Sequence, residues 1–185
     1  MVPLTLLWLP ILLAAVIVFV ASSIMHMVLP YHHGDYERLP EEDKVLGAMR
    51  AAGVKRGLYM FPFSTHKDMK SPETIEKFKQ GPAGIMAVFP AGRPAMPKFL
   101  ALWFAYCLVI GFFTAYLTGH TLPPGAKYLA VHRVAGCAAF MAYGLGHLSN
   151  SIWKGQPWKM TIKELIDGLI YGSLTGGTFG WLWPR

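Results

Sequence analysis

The chain has 185 residues, of which 54% are hydrophobic and only 15% are charged, and its formal net charge is +7. Soluble domains carry roughly one quarter charged residues, so this composition excludes an ordinary soluble domain. The basic residues are scattered between apolar blocks and form no run, which argues against a partner made of nucleic acid. The apolar residues instead form four blocks, each about long enough to cross the ~30 Å hydrocarbon core of a bilayer.

These blocks predict an all-α integral membrane protein of a single domain. The four transmembrane helices are expected at about residues 4–29, 99–118, 127–151 and 162–183. The first block has no basic residue before it and is too long for a signal peptide, so we interpret it as a retained helix. Short connections join the last three blocks, which predicts antiparallel neighbours.

The loop charges predict the orientation of these helices. Residues 30–98 hold most of the basic side chains, and Lys154, Lys159 and Lys163 lie on the same side of a four-span protein. Cytoplasmic loops are enriched in Lys and Arg, so this side is expected to be cytoplasmic. Both termini are then periplasmic, in a bacterial inner membrane.

The long segment 30–98 is expected to hold two short helices and a connector. Pro40–Ala52 and Ser71–Gln80 have the Pro, acidic and N-cap residues that begin helices. Gly81–Pro97 contains four prolines and three glycines, so it cannot form a regular helix. We interpret it as a packed connector, with a gate or a docking loop as the alternative.

The fourth block has the most regular pattern in the chain. Glycine recurs every four residues, at Gly168, Gly172, Gly176 and Gly180. Small residues at this spacing leave a groove in which a second helix can approach closely. The pattern leaves open whether that helix belongs to the same chain or to another subunit.

Histidines near the cytoplasmic ends of the blocks are candidate ligands. His26 and His147 are expected at similar depth, and His32 and His33 follow His26 closely. Imidazoles together with Met25 and Met27 could bind a transition metal, and two facing histidines could ligate a haem iron. The alternative is that these rings hydrogen-bond to carbonyls or to lipid head groups.

Three further polar residues have simpler interpretations. His132 and Arg133 are expected near the outer face, where they contact a lipid head group or an anion, or where Arg133 snorkels to the interface. Asp167 is expected near the start of the fourth helix, where it complements the helix dipole.

No nucleophile elbow, phosphate-binding loop or pair of carboxylates at catalytic spacing is present. The first functional hypothesis is therefore a non-enzymatic structural or accessory subunit, in a homo-oligomer or a larger membrane complex. The second is a membrane redox protein that binds haem or a metal through His26 and His147. The third is a small channel or transporter.

Overall fold

The computed structural model describes all 185 residues, and 66% of them are helical. In chain order, α1 spans Trp8–Ser23, α2 Glu42–Ala51, α3 Pro72–Gln80, α4 Met96–Thr121, α5 Tyr128–Tyr143, α6 Leu148–Lys154 and α7 Trp158–Trp181. Strand β1 spans Gly57–Phe61 and strand β2 spans Gly84–Val88. The chain divides into two compact units.

The first unit contains α1, α4, α5 and α7, and it consists of residues 1–35, 95–151 and 156–185. Three stretches are long and apolar enough to cross a membrane, namely Trp8–Val28, Met96–Thr121 and Tyr128–Lys154. The fourth predicted span corresponds to α7, which has 24 residues but is not among them. Its first half carries four charged side chains, which lower its mean hydropathy: Lys159, Lys163, Glu164 and Asp167.

The glycines of α7 pack against α5 of the same chain. A Cβ atom added at Gly172 would come within 2.9 Å of the Gly136 carbonyl oxygen, and one at Gly176 within 2.7 Å of the His132 carbonyl oxygen. A Cβ atom added at Gly168 would come within 2.5 Å of Gly144 Cα. One added at Gly180 would come within 2.7 Å of the Tyr128 ring. The groove predicted from the glycine repeat is therefore filled within the chain.

Both chain termini lie at the end of this unit where α4 connects to α5. The Val2 amide donates to the Gly119 carbonyl at 2.8 Å, and the Gly125 amide donates to the Pro184 carbonyl at 2.8 Å. Trp183 Nε1 donates to the Pro123 carbonyl at 2.9 Å. The two termini are thus fixed at the same end of the helices.

The second unit consists of residues 36–94 together with 152–155. It contains α2, α3 and an antiparallel pair of strands, in which Leu58 faces Ala87 and Met60 faces Ile85. This sheet corrects the all-α prediction. The segment 81–97 was interpreted as a connector because of its prolines and glycines, but its apolar run is short, and periodicity alone cannot assign such a run to a strand.

Candidate metal centre

Three side chains meet at the end of α1, in the first unit. His26 lies in a π-helical turn, Ile24–Val28, that continues α1, and His32 ends a short 3₁₀ turn, Pro30–His32. Asp167 reaches them from α7. One ligand atom from each of the three residues lies within 4.8 Å of the other two. We call this group the His–His–Asp site; π-turns inside α-helices often occur at functional positions.

The hydrogen bond of His26 determines which of its ring nitrogens is free. Its Nδ1 lies 3.1 Å from the Ser22 carbonyl oxygen, and a carbonyl can only accept, so Nδ1 carries a proton. In the neutral ring the lone pair then lies on Nε2. That nitrogen is 4.0 Å from Asp167 Oδ2.

His32 has the same arrangement with a stronger partner. Its Nδ1 lies 2.5 Å from Asp35 Oδ2, so it donates to a carboxylate and leaves Nε2 toward Asp167. The distance from Nε2 to Asp167 Oδ2 is 2.9 Å, yet Nε2 is buried and makes no well-directed hydrogen bond. The rings of His26 and His32 stack at 4.1 Å with 10° between their planes.

Asp35 is itself held in place by α7. Lys163 Nζ donates to Asp35 Oδ1 and, at 2.6 Å, to the Tyr31 carbonyl oxygen. Burial alone would raise the pKa of the Asp35 carboxyl, but the hydrogen bonds from Lys163 and His32 and the positive charge of Lys163 outweigh it, and this pKa is lowered. Asp35 is therefore a carboxylate that orients His32 by accepting from its Nδ1–H.

Several buried polar atoms around the site lack a hydrogen-bond partner. Asp167 has a side chain that is 5% exposed, and its Oδ1 makes no hydrogen bond. The hydroxyls of Tyr31 and Tyr171 are also buried and unpaired. A buried polar group without a partner costs about 1–3 kcal/mol, so this location is suited to a ligand that satisfies these groups.

The donor set is chemically specific. Two imidazole nitrogens and one carboxylate oxygen are typical ligands of divalent first-row transition metals, and a two-His, one-carboxylate set with open positions is typical of non-haem iron. In such sites the second ring nitrogen usually donates to a carboxylate or a backbone carbonyl. His32 and His26 have these two kinds of partner, Asp35 and the Ser22 carbonyl, respectively.

The other predicted ligands lie elsewhere. His147 is not part of the His–His–Asp site; its Nδ1 is 3.3 Å from Glu164 Oε2, one helical turn before Asp167. Gln156 also donates to that carboxylate, at 2.6 Å. His33 is exposed at the end of its 3₁₀ turn. Thus His26 and His147 both contact α7, but through different acidic residues.

His132 and Arg133 lie on α5. Arg133 is exposed, and the His132 ring lies 5.9 Å from the Tyr128 ring. Contact of these residues with a lipid head group or an anion stays a prediction.

The sequence does not indicate Asp167 as a candidate ligand. The fourth helix is predicted to begin near Ile162, whereas α7 begins at Trp158. Asp167 therefore lies beyond the first turn, where the helix dipole has little effect. Its position inside an apolar stretch of the sequence was the available signal, because an ionisable residue within a membrane-spanning segment is a candidate functional residue by default.

No protein-family model, no curated protein and no solved structure matches this chain.

Proposed function

We propose that the chain is a membrane-bound metalloprotein, which binds one divalent first-row transition-metal ion through His26, His32 and Asp167. The observation that carries this proposal is the direction of the free atoms. Both histidines donate through Nδ1, which leaves each Nε2 available beside the same buried carboxylate. Two lone pairs do not face a carboxylate favourably unless a proton or a metal cation lies between them.

The distances support an ion at this position. Ligand atoms bound at ~2.0–2.1 Å around a tetrahedral ion lie about 3.3 Å apart. The distances of 2.9 and 4.0 Å from Asp167 Oδ2 to the two Nε2 atoms bracket this value. For all three atoms to bind one ion, the stacked rings of His26 and His32 would have to turn toward each other.

A single ion fits these ligands better than haem does. A haem iron takes at most two axial ligands, on opposite faces of the macrocycle. Here one ligand atom from each of three residues lies within 4.8 Å of the other two, and the ring of His26 is stacked against that of His32. His26 and His147 as a haem-ligating pair stay a prediction that this geometry does not favour.

Three protein ligands leave at least one position on the ion for water or a small substrate, as in catalytic metal sites. The side chain of His26 is 50% exposed, so this edge of the site is accessible. The site therefore has the composition of a reactive centre and not that of a closed structural metal site.

We further propose that α7 is a fourth span, with both termini periplasmic in a bacterial inner membrane. Its 24 residues extend about 36 Å, enough to cross the hydrocarbon core. It packs closely along α5, which lies within a candidate span. Its charged residues are confined to its first half, and Asp167 is covered by protein.

Assembly into a homo-oligomer or a larger complex stays a prediction. The glycine repeat no longer argues for it, since α5 of the same chain occupies that groove. The channel or transporter hypothesis likewise has no support beyond the helical composition.

The metal proposal is tested by titrating metal-free protein in detergent with Zn²⁺ against a chromogenic chelator, and by elemental analysis of protein as purified. We expect one ion per chain. His26→Ala and His32→Ala should each weaken Zn²⁺ binding by more than about a hundredfold, since loss of a ligand exceeds the 10- to 100-fold effect of an outer partner.

The matched controls are His33→Ala and His147→Ala, which remove imidazoles at the same end of the helices without touching the site. Both should bind Zn²⁺ like the wild type. A wild-type chain that binds no ion, or ligand variants that bind as well as the controls, would show that this cluster is only an ion-pair network between α7 and the turn before Asp35.

A further inference from the structure

The antiparallel strands of the second unit present an apolar surface that nothing in that unit covers. Leu58 and Met60 point to one side of β1, and their partners on β2 are Ala87 and Ile85. Leu58 is 73% exposed and Met60 is 53% exposed. Phe63, just after β1, is 78% exposed. We call Leu58, Met60, Ile85 and Phe63 the hairpin face.

An isolated two-stranded sheet is marginally stable in water and needs a surface to pack against. Four neighbouring apolar side chains also form a contiguous patch. An exposed apolar patch on a water-facing surface often marks a binding site for a protein or a membrane. A partner of this surface must match both its apolar side chains and the charges of the segments that carry them.

The two segments that carry the hairpin face contain basic residues but no acidic ones. Residues 54–67 and 81–98, which contain both strands and their flanks, include no Asp or Glu. They do include five basic residues, which are Lys55, Arg56, Lys67, Arg93 and Lys98. Lys55, Arg56 and Arg93 are exposed. An apolar surface on segments that carry cations and no anions matches a layer of hydrocarbon beneath anionic head groups.

The position of the strands along the chain points to the same partner. Met96, the first residue of the candidate span in α4, follows Val88 by eight residues. Eight extended residues reach at most about 29 Å, so the chain leaves β2 within reach of the membrane–water boundary. The intervening Phe89 is 75% exposed, and aromatic residues are enriched at that boundary.

We propose that the hairpin face lies in the head-group region of an anionic bilayer, as a surface anchor that is separate from the spans. Leu58, Met60 and Phe63 enter the acyl boundary by about 5–10 Å, the depth of other interfacial apolar faces. Lys55, Arg56 and Arg93 contact lipid phosphates. This inference does not depend on metal binding.

The test measures the depth of a nitroxide label in the full-length chain, reconstituted into vesicles of phosphatidylcholine with or without phosphatidylglycerol. The exposed Cys137 is replaced by Ala, whereas Cys107 is buried and remains. Labels are then placed at Leu58→Cys, Phe63→Cys and, as a control on α3, the exposed Glu76→Cys. Because all these side chains are on the surface, the substitutions leave the fold intact.

In anionic vesicles we expect the labels at Leu58 and Phe63 to collide with dissolved oxygen more than with a water-soluble nickel chelate, and the Glu76 label to do the reverse. Replacing Lys55 and Arg56 by Gln should make the two labels shallower in anionic vesicles only.

Labels at Leu58 and Phe63 that are as accessible to the nickel chelate as the Glu76 control would overturn the proposal. Labels shielded from both reagents would also overturn it, since they would indicate a protein partner. Equal depth in both vesicle types would refute the role of anionic lipid.

Discussion

Lys163, on α7, forms an ion pair with Asp35, which in turn accepts a hydrogen bond from His32 Nδ1 at 2.5 Å. The two side chains are 13% and 6% exposed, so little water screens the pair. A residue far along the sequence therefore orients a ligand at the end of the first helix. The contact also joins the turn after α1 to α7 independently of any bound ion.

Replacing Asp35 tests this positioning role. Asp35→Asn keeps the size of the side chain but removes the charge that accepts from His32 and pairs with Lys163. We expect Zn²⁺ affinity to fall by about 10- to 100-fold, the usual effect of losing an outer carboxylate partner, with one ion still bound per chain. Glu37→Gln, at a neighbouring exposed acid, is the control and should bind like the wild type. Unchanged affinity in Asp35→Asn would show that Asp35 does not position His32.

Asp167 is expected to be indispensable for binding, in contrast to Glu164 one turn earlier. Asp167→Asn replaces the anionic ligand with a neutral amide, and Zn²⁺ binding in the competition assay should fall below detection. Glu164→Gln alters the partner of His147 and Gln156 but not the His–His–Asp site. It should keep wild-type affinity. Equal losses in both variants would mean that general negative charge, and not the geometry of Asp167, attracts the ion.

Bound metal should stabilise the fold. An ion that binds only the folded chain adds about 2.7 kcal/mol to the free energy of unfolding when its concentration is one hundred times Kd. We expect Zn²⁺ to raise the Tm in detergent and excess chelator to reverse the rise. In His32→Ala the Tm should not respond to Zn²⁺. A Tm response that persists in this variant would place the bound ion at another site.

The contact between α5 and α7 is tested by two adjacent glycines. A methyl group at Gly176 would come within 2.7 Å of the His132 carbonyl, whereas one at Gly177 meets only the Tyr128 hydroxyl, at 3.5 Å. Gly176→Ala should therefore lower the free energy of unfolding by about 1–3 kcal/mol, the usual cost of overpacking. Gly177→Ala should be close to neutral. Similar thermal stability of the two variants in detergent would contradict the close packing.

The topology is tested with a reporter fused after Arg185. Four spans with basic loops inside place this residue in the periplasm, so a reporter that is active only in the cytoplasm should be silent. A periplasm-active reporter at the same position is the control. A cytoplasmic signal would indicate either three spans or an inverted orientation.

The sequence was informative where one physical signal dominates. Long apolar blocks predicted the spans because a bilayer requires about twenty such residues, and three of the blocks meet this requirement in the structure. The glycine repeat predicted a close helix contact, but the repeat is the same for a partner inside or outside the chain. Only the tertiary structure identifies α5 as that partner.

The candidate site was only partly predictable. His26 and His32 are predicted as candidate ligands, together with His33 and His147, because imidazoles near the end of an apolar block are conspicuous. Asp167 could not be paired with them, since the order of helices in a bundle is not encoded in any short motif. The strands were missed for a related reason: four or five apolar residues between a glycine and a proline have no distinctive period.

The π-helical turn at Ile24–Val28 makes the length of the first helix critical. Such a turn accommodates an additional residue, so that the face before it and the face after it are offset by about 100° compared with a continuous α-helix. Ala14, Ala15 and Val18 are buried before the turn, and His26 faces Asp167 within it. Deleting Ile24 or Met25 would restore a regular helix and would leave the helix predominantly apolar. The helix would still insert in the membrane, but its histidine would be turned away from α7.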